Sequence, residues 1–349
     1  MIDFSVLEII ALLALAFTTS WILTGIMRKV AIKLDITDRP DESRKQQKEP
    51  IPYFGGLGIM ISLVLLVTSG VFALDLSPEL QQDILYLFIP AVILGLIGLW
   101  DDIKNLSPQF RLMIQILMGL AGSLTITFGS TTGSITGNAT LDLLISIFWI
   151  VGITNAVNFF DNMDGGAAIA SFITSLGFSA YGFLTGQPYI GIFGLLLMGV
   201  LAGFFIWNRR PARIYMGDSG ALFLGMLLAT IAVRIDPVAD SRIVSFAIPI
   251  LFLALPILDT TVVVINRLRN GRSPMQGGRD HLSHRLASIG IRHRIVLVRF
   301  AVIAALFQIP IFLTLFTSSA LELAMIVIGL LTFLHLFFRF IRIPVHYSD

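Results

Sequence analysis

The stretch Asn155-Ala-Val-Asn-Phe-Phe-Asp-Asn-Met-Asp-Gly-Gly166 is a polar segment between two apolar runs, residues 141–151 and 167–184. It holds three asparagines, two aspartates and two glycines in a chain that is otherwise largely hydrocarbon. Polar groups at a membrane boundary are costly and usually serve a function. The pattern predicts a membrane span that ends near Phe160, followed by a turn at Asp164-Gly165-Gly166 from which the next span begins.

The composition supports a membrane protein. Of 349 residues, 56% are hydrophobic and only 13% are charged, whereas a soluble protein carries about 25% charged residues. The composition predicts an all-α polytopic membrane protein, with residues 1–349 forming a single transmembrane domain. The absence of cysteine excludes disulfides, thiolate metal sites and a cysteine nucleophile. No nucleic-acid partner is expected.

A membrane span needs about 20 apolar residues, and eleven such runs are present. They lie at about residues 4–27, 56–74, 84–100, 110–128, 141–157, 167–184, 189–207, 219–235, 243–265, 295–316 and 321–341.

Lys and Arg residues mark the cytoplasmic side of a membrane protein. With an external N-terminus, all of the 24 Lys and Arg residues except Arg234 and Arg242 fall on the inner side. We therefore expect the N-terminus outside the bilayer and the C-terminus in the cytoplasm. The cytoplasmic loops are then residues 28–55, 101–109, 158–166, 208–218 and 266–294.

This topology places Asp101, Asp102, Asp161, Asp164, Asp218 and Asp280 on the inner face. Adjacent carboxylates such as Asp101 and Asp102 repel each other, and a divalent cation, a basic partner or a shared proton relieves this repulsion. The alternative interpretation of Asp101 and Asp102 is a helix end whose carboxylates are simply exposed to water. Asp218 could cap the helix that follows it or bind Mg²⁺, which takes one or two carboxylates together with phosphate oxygens and water.

Basic side chains fall on the same face. Lys45 and Lys48 precede the segment Pro50-Ile-Pro, where they suit either phosphate or anionic lipid. His281, His284 and Arg285 share one face of a short predicted helix. Two histidines at this spacing suggest zinc, but a third ligand is not evident, and phosphate binding fits the basic setting better.

Carboxylates and cations on one membrane face suit phosphoryl transfer. A metal bridges the phosphates, and basic groups neutralise the charge that develops in the transition state. No Walker-type glycine loop is present, so ATP hydrolysis is not indicated.

The order of these motifs resembles the polyprenyl-phosphate N-acetylhexosamine-1-phosphate transferases, bacterial enzymes in the same superfamily as phospho-MurNAc-pentapeptide translocase. The resemblance covers nearly the whole chain. Five motifs carry it: Arg44-Lys45 with Pro50-Ile-Pro and Gly55-Gly56; Asp101-Asp102; Asn155, Asn158, Asp161 and Asp164-Gly165; Asn208, Pro211-Ala and Met216-Gly-Asp-Ser-Gly220; and Asp280-His-Leu-Ser-His-Arg-Leu286.

The resemblance implies a reaction. A UDP-amino sugar would give its sugar-1-phosphate, with GlcNAc-1-phosphate as the expected group, to polyprenyl (undecaprenyl) phosphate. The reaction would release UMP and start cell-envelope glycan synthesis. The resemblance also implies a Mg²⁺ cofactor, with Mn²⁺ as a substitute. It further implies a multi-pass protein in the bilayer of the bacterial cytoplasmic membrane, with its active site on the cytoplasmic face. The superfamily is often dimeric, so a homodimer stays an open alternative.

The resemblance also implies roles for individual residues. Asp218 and Asp102 would be the metal ligands, and Asp101, Asp102, Asp161 and Asp164 the catalytic carboxylates, with Asp101 as a candidate base. The implied substrate-binding residues are Lys45, Lys48, Asn155, Asn158, Asn208, His281, His284 and Arg285.

The chain departs from the family pattern at Gln47, Gly278 and Ser283, where histidine, aspartate and histidine are usual. These departures motivate one rival interpretation, an inactive homologue that binds lipid phosphate. A membrane transporter that uses intramembrane acids as ion sites is the other. Transporter sites lie near the bilayer midplane, whereas these acids lie at predicted span ends.

Overall fold

The computed structural model describes residues 5–38, 50–74, 76–128, 136–239, 241–275 and 277–345. Thirteen helices make up most of this part of the chain. They are α1 (Val6–Lys33), α2 (Gly55–Ala73), α3 (Pro78–Lys104), α4 (Pro108–Phe128), α5 (Ala139–Phe160), α6 (Gly166–Leu184), α7 (Pro188–Asn208), α8 (Gly217–Arg234), α9 (Arg242–Phe252), α10 (Ala254–Arg269), α11 (Leu282–Ser288), α12 (His293–Thr314) and α13 (Ser319–Ile341).

The polytopic all-α class is confirmed. Within the described residues, ten helices are long and apolar enough to cross a membrane, and α9 with α10 makes an eleventh span if the bent pair counts as one. The predicted span 243–265 is wrong as a continuous helix, because α9 and α10 meet at Leu253 with a bend of 77°. Pro256 has no backbone N–H to donate to the carbonyl of Phe252, which breaks the helix at this point.

One small sheet lies outside the predicted class. Strand β1 (Thr37–Asp38) pairs antiparallel with strand β2 (Ile51–Pro52). The carbonyl of Pro52 accepts a hydrogen bond from the backbone N–H of Tyr215 at 2.9 Å, and the N–H of Gly55 donates to the carbonyl of Tyr215 at 3.0 Å. The sheet therefore ties the start of α2 to the segment that leads into α8.

Local sequence signals set several helix ends as expected. Helix α5 ends at Phe160, and Gly165 adopts a φ of +75° in the turn before α6. The Ser107 hydroxyl accepts a hydrogen bond from the N–H of Phe110 at 3.3 Å, so Ser107 caps α4 as expected, with Pro108 at its first position. The α3–α4 and α5–α6 connections are consequently short.

Helix α8 is the central helix of the bundle. In the apolar segment of α8 that could cross a membrane, 78% of the residues are buried, against 11% in α1 and 17% in α13. Small residues let neighbouring backbones approach it closely, as is common between membrane helices. A Cβ atom at Gly56 of α2 would lie 2.0 Å from the backbone nitrogen of Gly220, and one at Gly98 of α3 would lie 2.4 Å from the carbonyl oxygen of Asp218.

The α2–α8 contact can be tested with two substitutions in one helix. Gly56→Ala forces two backbones apart, and we expect it to destabilise the protein by about 1–3 kcal/mol. Gly70→Ala, also in α2, is the control because its Cβ would meet no atom within 4 Å, and we expect no loss of stability. Thermal unfolding of the purified proteins in detergent measures both. Equal melting temperatures for the two variants would contradict the close packing.

Candidate active site

A cavity of about 1110 Å³ opens at the end of the bundle where α3, α5 and α7 end and α4, α6 and α8 begin. Ionisable side chains, both acidic and basic, line it. The acids are Asp38, Asp101, Asp102, Asp161, Asp164 and Asp218, and the bases are Arg28, Arg111, Arg210, Arg213, Arg279, His284 and His293. The five predicted catalytic and metal-binding aspartates therefore come from three separate parts of the sequence into one cavity.

Asp102 joins the end of α3 to the start of α8. Its Oδ1 accepts a hydrogen bond from the N–H of Asp218 at 2.8 Å, and its Oδ2 accepts one from the N–H of Ser219 at 3.1 Å. These N–H groups belong to the first turn of α8, which has no partner for them within the helix, so Asp102 caps α8. Gly217 makes room for this cap, because its φ is +72° and a Cβ there would lie 2.6 Å from Asp102 Oδ2.

The capping alternative for Asp218 is therefore not realised, because Asp102 supplies the cap from another helix. Both oxygens of Asp102 accept these capping hydrogen bonds, which makes Asp102 less available for its predicted role as a metal ligand. In this structure it positions the first turn of α8, and with it Asp218.

Asp218 lies in a network of three other side chains. Arg111 Nη1 donates to Asp218 Oδ2 at 2.8 Å and to Asp101 Oδ2 at 2.5 Å. Asn158 Nδ2 donates to Asp218 Oδ1 at 2.6 Å. Asp101 Oδ1 accepts a further bond from the N–H of Leu106 at 2.6 Å. Four helices, α3, α4, α5 and α8, each contribute one member of the network.

Asp161 and Asp164 form the adjoining wall, in the turn between α5 and α6. Burial, and then the charges of Asp218 and Asp164, raise the pKa of Asp161 to about 7. Asp164 Oδ2 accepts a hydrogen bond from the N–H of Ala212 at 3.3 Å. In the described part of the chain the Asp161 carboxylate makes no hydrogen bond, so it is a carboxylate that can exchange a proton near neutral pH.

Asn208 holds this turn in place. Its Oδ1 accepts from the N–H of Gly165 at 2.9 Å, and its Nδ2 donates to the carbonyl of Ile214 at 2.9 Å. The side chain lines the cavity but is 3% exposed. Its two hydrogen bonds connect the α5–α6 turn with the loop that precedes α8.

The predicted histidine and arginine face divides into two parts. Ser283 and His284 line the cavity. Burial, and then the neighbouring His281 and Arg279, lower the pKa of His284 to about 4, so the imidazole of His284 is neutral at pH 7. The Ser283 hydroxyl donates to Asn162 Oδ1 and so joins α11 to the α5–α6 turn.

His281 and Arg285 are buried behind the cavity and do not line it. His281 Nδ1 lies 2.8 Å from Asp259 Oδ2, and Asp259 Oδ1 accepts from the N–H of Leu282 at 2.7 Å. Arg285 donates to the carbonyls of Asp280, Ile343 and Phe340. In this structure the two residues fix the position of α11, and a direct substrate contact would require them to leave these partners.

Asn155 also lies outside the cavity lining, where its Nδ2 donates to Gln115 Oε1 at 2.6 Å and to the carbonyl of Val151 at 2.8 Å. Lys45, Lys48 and Gln47 fall outside the described residues, so the roles expected for them stay predictions.

Sequence reasoning missed two functional candidates. Arg111 lies in the first turn of α4, where a helix dipole disfavours a positive charge, and this position was the available signal. Asp259 lies in an apolar run, and an ionisable residue within a span marks a functional site. Their partners lie at distant positions in the chain, so spacing alone could not supply them.

Known proteins are similar to this chain in sequence. The model of glycosyl transferase family 4 matches residues 84–236. A Bacillus subtilis (strain 168) protein named "Probable undecaprenyl-phosphate N-acetylglucosaminyl 1-phosphate transferase" is 30% identical over 315 residues, which cover 88% of this chain and 86% of that protein.

Two further relatives were found. A decaprenyl-phosphate N-acetylglucosaminephosphotransferase of Mycolicibacterium smegmatis is 30% identical over 78% of this chain and 73% of its own length. A phospho-N-acetylmuramoyl-pentapeptide-transferase of Streptococcus pneumoniae serotype 19F is 33% identical over 56% of this chain and 63% of its own length. With residues of its motifs in one cavity and this coverage of its relatives, the chain belongs to the polyprenyl-phosphate N-acetylhexosamine-1-phosphate transferases of glycosyl transferase family 4.

Proposed function

We propose that this transferase moves an N-acetylamino-sugar 1-phosphate, with GlcNAc-1-phosphate as the first candidate, from a UDP-sugar to undecaprenyl phosphate and releases UMP. The observation that carries the proposal is the network of Asp101, Arg111, Asn158 and Asp218 inside a cavity of about 1110 Å³. A cavity of this volume has room for a nucleotide sugar, and its mixed charges suit both phosphate groups and a cation. The transfer would start cell-envelope glycan synthesis.

The carboxylates of Asp101 and Asp218 fit a Mg²⁺ ion whose remaining ligands come from the substrate and water. Within the described residues no three His, Cys, Asp or Glu side chains form a metal cluster. However, one oxygen of Asp101 and one of Asp218 converge on the same cationic nitrogen of Arg111, at 2.5 and 2.8 Å. Mg²⁺ is usually held by one or two carboxylates together with substrate phosphates and water. Asp218 and Asp101 would hold it, and the ion would polarise the phosphate that is transferred.

The chain's own residues would carry the remaining steps. An oxygen of polyprenyl phosphate forms a bond to the β-phosphorus of the UDP-sugar, and the bond from that phosphorus to the bridging oxygen breaks, which releases UMP. Arg210, Arg213 and Arg279 line the cavity and would neutralise phosphate charge. Asp161 is the better proton acceptor, because both oxygens of Asp101 already accept hydrogen bonds and a base works best with a pKa near the working pH.

We also propose that the cavity faces the cytoplasm of a bacterial cell. The connections at the cavity end carry the basic residues of the chain, whereas Arg234 and Arg242 lie at the opposite helix ends. This bias is the one that sets orientation in bacterial membranes. It supports an external N-terminus and a cytoplasmic C-terminus.

The positions of the acids argue against a transporter. Asp101 lies in the last turn of α3, Asp161 directly follows α5 and Asp218 lies in the first turn of α8. Ion sites of secondary transporters lie near the bilayer midplane. Measured turnover would exclude an inactive lipid-binding homologue.

The transfer can be assayed with purified full-length protein, undecaprenyl phosphate, Mg²⁺ and a panel of UDP-sugars. Asp218→Asn keeps the shape of the side chain but removes its charge, and we expect turnover to fall about 100-fold or more. Asp236→Asn is the matched control, because this exposed aspartate lies at the opposite end of α8. Chromatography of UMP and mass spectrometry of the lipid product give the readout. Absence of UMP with every sugar of the panel would refute the proposal.

The raised pKa of Asp161 predicts an effect of pH on stability. A carboxyl group with a pKa of about 7 in the folded protein binds its proton more tightly there than in the unfolded chain. The free energy of unfolding therefore falls as the pH rises from about 4 through about 7. At pH 8, in the absence of substrate and metal, Asp161→Asn should raise the melting temperature by about 2–5 °C.

At pH 5 this gain in melting temperature should shrink, because the wild-type Asp161 side chain is then mostly protonated and therefore uncharged, like asparagine. Asp236→Asn serves as the control and should shift the melting temperature equally at both pH values. A gain for Asp161→Asn that does not depend on pH would show that charge is not the cause.

A further inference from the structure

Arg111 occupies an unusual place for a positive charge. It lies in the first turn of α4, where the helix dipole disfavours a cation. Its side chain is 29% exposed and lines the cavity. A compensating interaction must therefore hold it there, and the carboxylates of Asp101 and Asp218 provide one.

The contacts of Arg111 use one nitrogen for two acids. Nη1 lies 2.5 Å from Asp101 Oδ2 and 2.8 Å from Asp218 Oδ2. Within the described part of the chain, Nε and Nη2 make no hydrogen bond to protein. A guanidinium group binds carboxylates and phosphates best through two parallel donors. Arg111 thus acts here as a point charge between two acids, and its paired donors are left for another partner.

This point is also where the two metal-binding candidates converge. A divalent ion that takes oxygens from Asp101 and Asp218 would share them with Nη1 and bring two cations into contact. Because like charges at such distances repel strongly inside a protein, the arginine and the metal exclude each other from this position. The cavity offers a second position for the guanidinium group, since any bound phosphate would be an acceptor for it.

We propose that Arg111 is a resident counter-ion, which yields its place between Asp101 and Asp218 to a divalent cation and then pairs with a phosphate group in the same cavity. This inference rests on the proposed function. Metal and phosphate each favour the same displaced arrangement of Arg111, so each strengthens the binding of the other. The exchange keeps the acids neutralised when no substrate is bound.

Metal binding without substrate tests the exchange directly. The loss of free Mn²⁺ signal in electron paramagnetic resonance measures the affinity of purified full-length protein for Mn²⁺. Arg111→Gln removes the competing charge and should bind Mn²⁺ about tenfold more tightly than wild type, although its turnover falls. Arg111→Lys keeps the charge and should stay near the wild-type affinity. Unchanged or weaker Mn²⁺ binding by Arg111→Gln overturns the proposal.

The control for general charge removal is Arg213→Gln. Arg213 also lines the cavity, but its guanidinium group lies 5.0 Å from the centre of the Trp207 ring and donates to the carbonyl of Ile206. We expect its Mn²⁺ affinity to change by less than about threefold. An equal gain for Arg213→Gln and Arg111→Gln would overturn a specific exchange.

A second measurement needs no variant. Phenylglyoxal modifies accessible arginines, and peptide mass spectrometry reports the rate at Arg111 in the wild-type protein. Mn²⁺ should increase this rate because it releases the guanidinium group, and inorganic pyrophosphate added with Mn²⁺ should slow it again. A rate that Mn²⁺ leaves unchanged or lowers contradicts the exchange.

The outcomes separate this inference from the proposed transfer. If the protein releases UMP but Mn²⁺ affinity does not respond to Arg111→Gln, the exchange is wrong and the transfer stands. If Mn²⁺ displaces Arg111 but no UDP-sugar yields UMP, the proposed transfer fails and the exchange at the acids stands.

Discussion

The carboxylate of Asp102 accepts hydrogen bonds from two N–H groups in the first turn of α8, and the arrangement of the site depends on this contact. It joins the end of one span to the start of another that lies more than 100 residues later. Because α8 is the most buried span, its first turn is held by the surrounding bundle. Asp218 is the second residue of that helix, so the cap on the backbone also fixes the side chain that faces the cavity.

Charge balance at this point explains the rest of the network. Asp101 and Asp102 are adjacent, and Asp218 adds a third carboxylate nearby, inside a cavity at the helix ends. Such a group of acids is stable only with cations or protons. Arg111 supplies a cation between Asp101 and Asp218, and burial beside other acids raises the pKa of Asp161 at the neighbouring wall, which favours a bound proton there. A site of this kind suits the metal-bound substrate of the proposed reaction.

A second layer of contacts positions α11 and thereby the cavity-lining His284. Asp259 of α10 holds His281 and the N–H of Leu282, while Arg267 forms two hydrogen bonds of 2.7 Å with Asp280. These buried contacts lie behind the cavity. Buried pairs of this type are weak sources of stability but specify one arrangement in some proteins, here the orientation of α11 above the α5–α6 turn.

The features that depend on local chemistry were predictable from sequence. Ser107 with Pro108 starts α4, and Gly165 turns the chain after Asp164, because each residue type favours that backbone conformation by itself. The break at Leu253 was not predicted, since a span with two prolines can also remain straight among its neighbours. The pairing of Arg111 with Asp218 and the capping by Asp102 depend on packing between distant helices, and adjacent acids in a sequence suit a metal or a cap equally.

Acids from α3 and α8 converge on one cation position inside the candidate substrate cavity. A crystal structure with Mn²⁺ and a UDP-sugar, with anomalous scattering used to locate the metal, tests this claim most directly. The predicted result is one manganese peak in contact with Asp218 and Asp101, with the diphosphate in the same cavity. A nucleotide bound elsewhere, or a peak that touches neither aspartate, would contradict it.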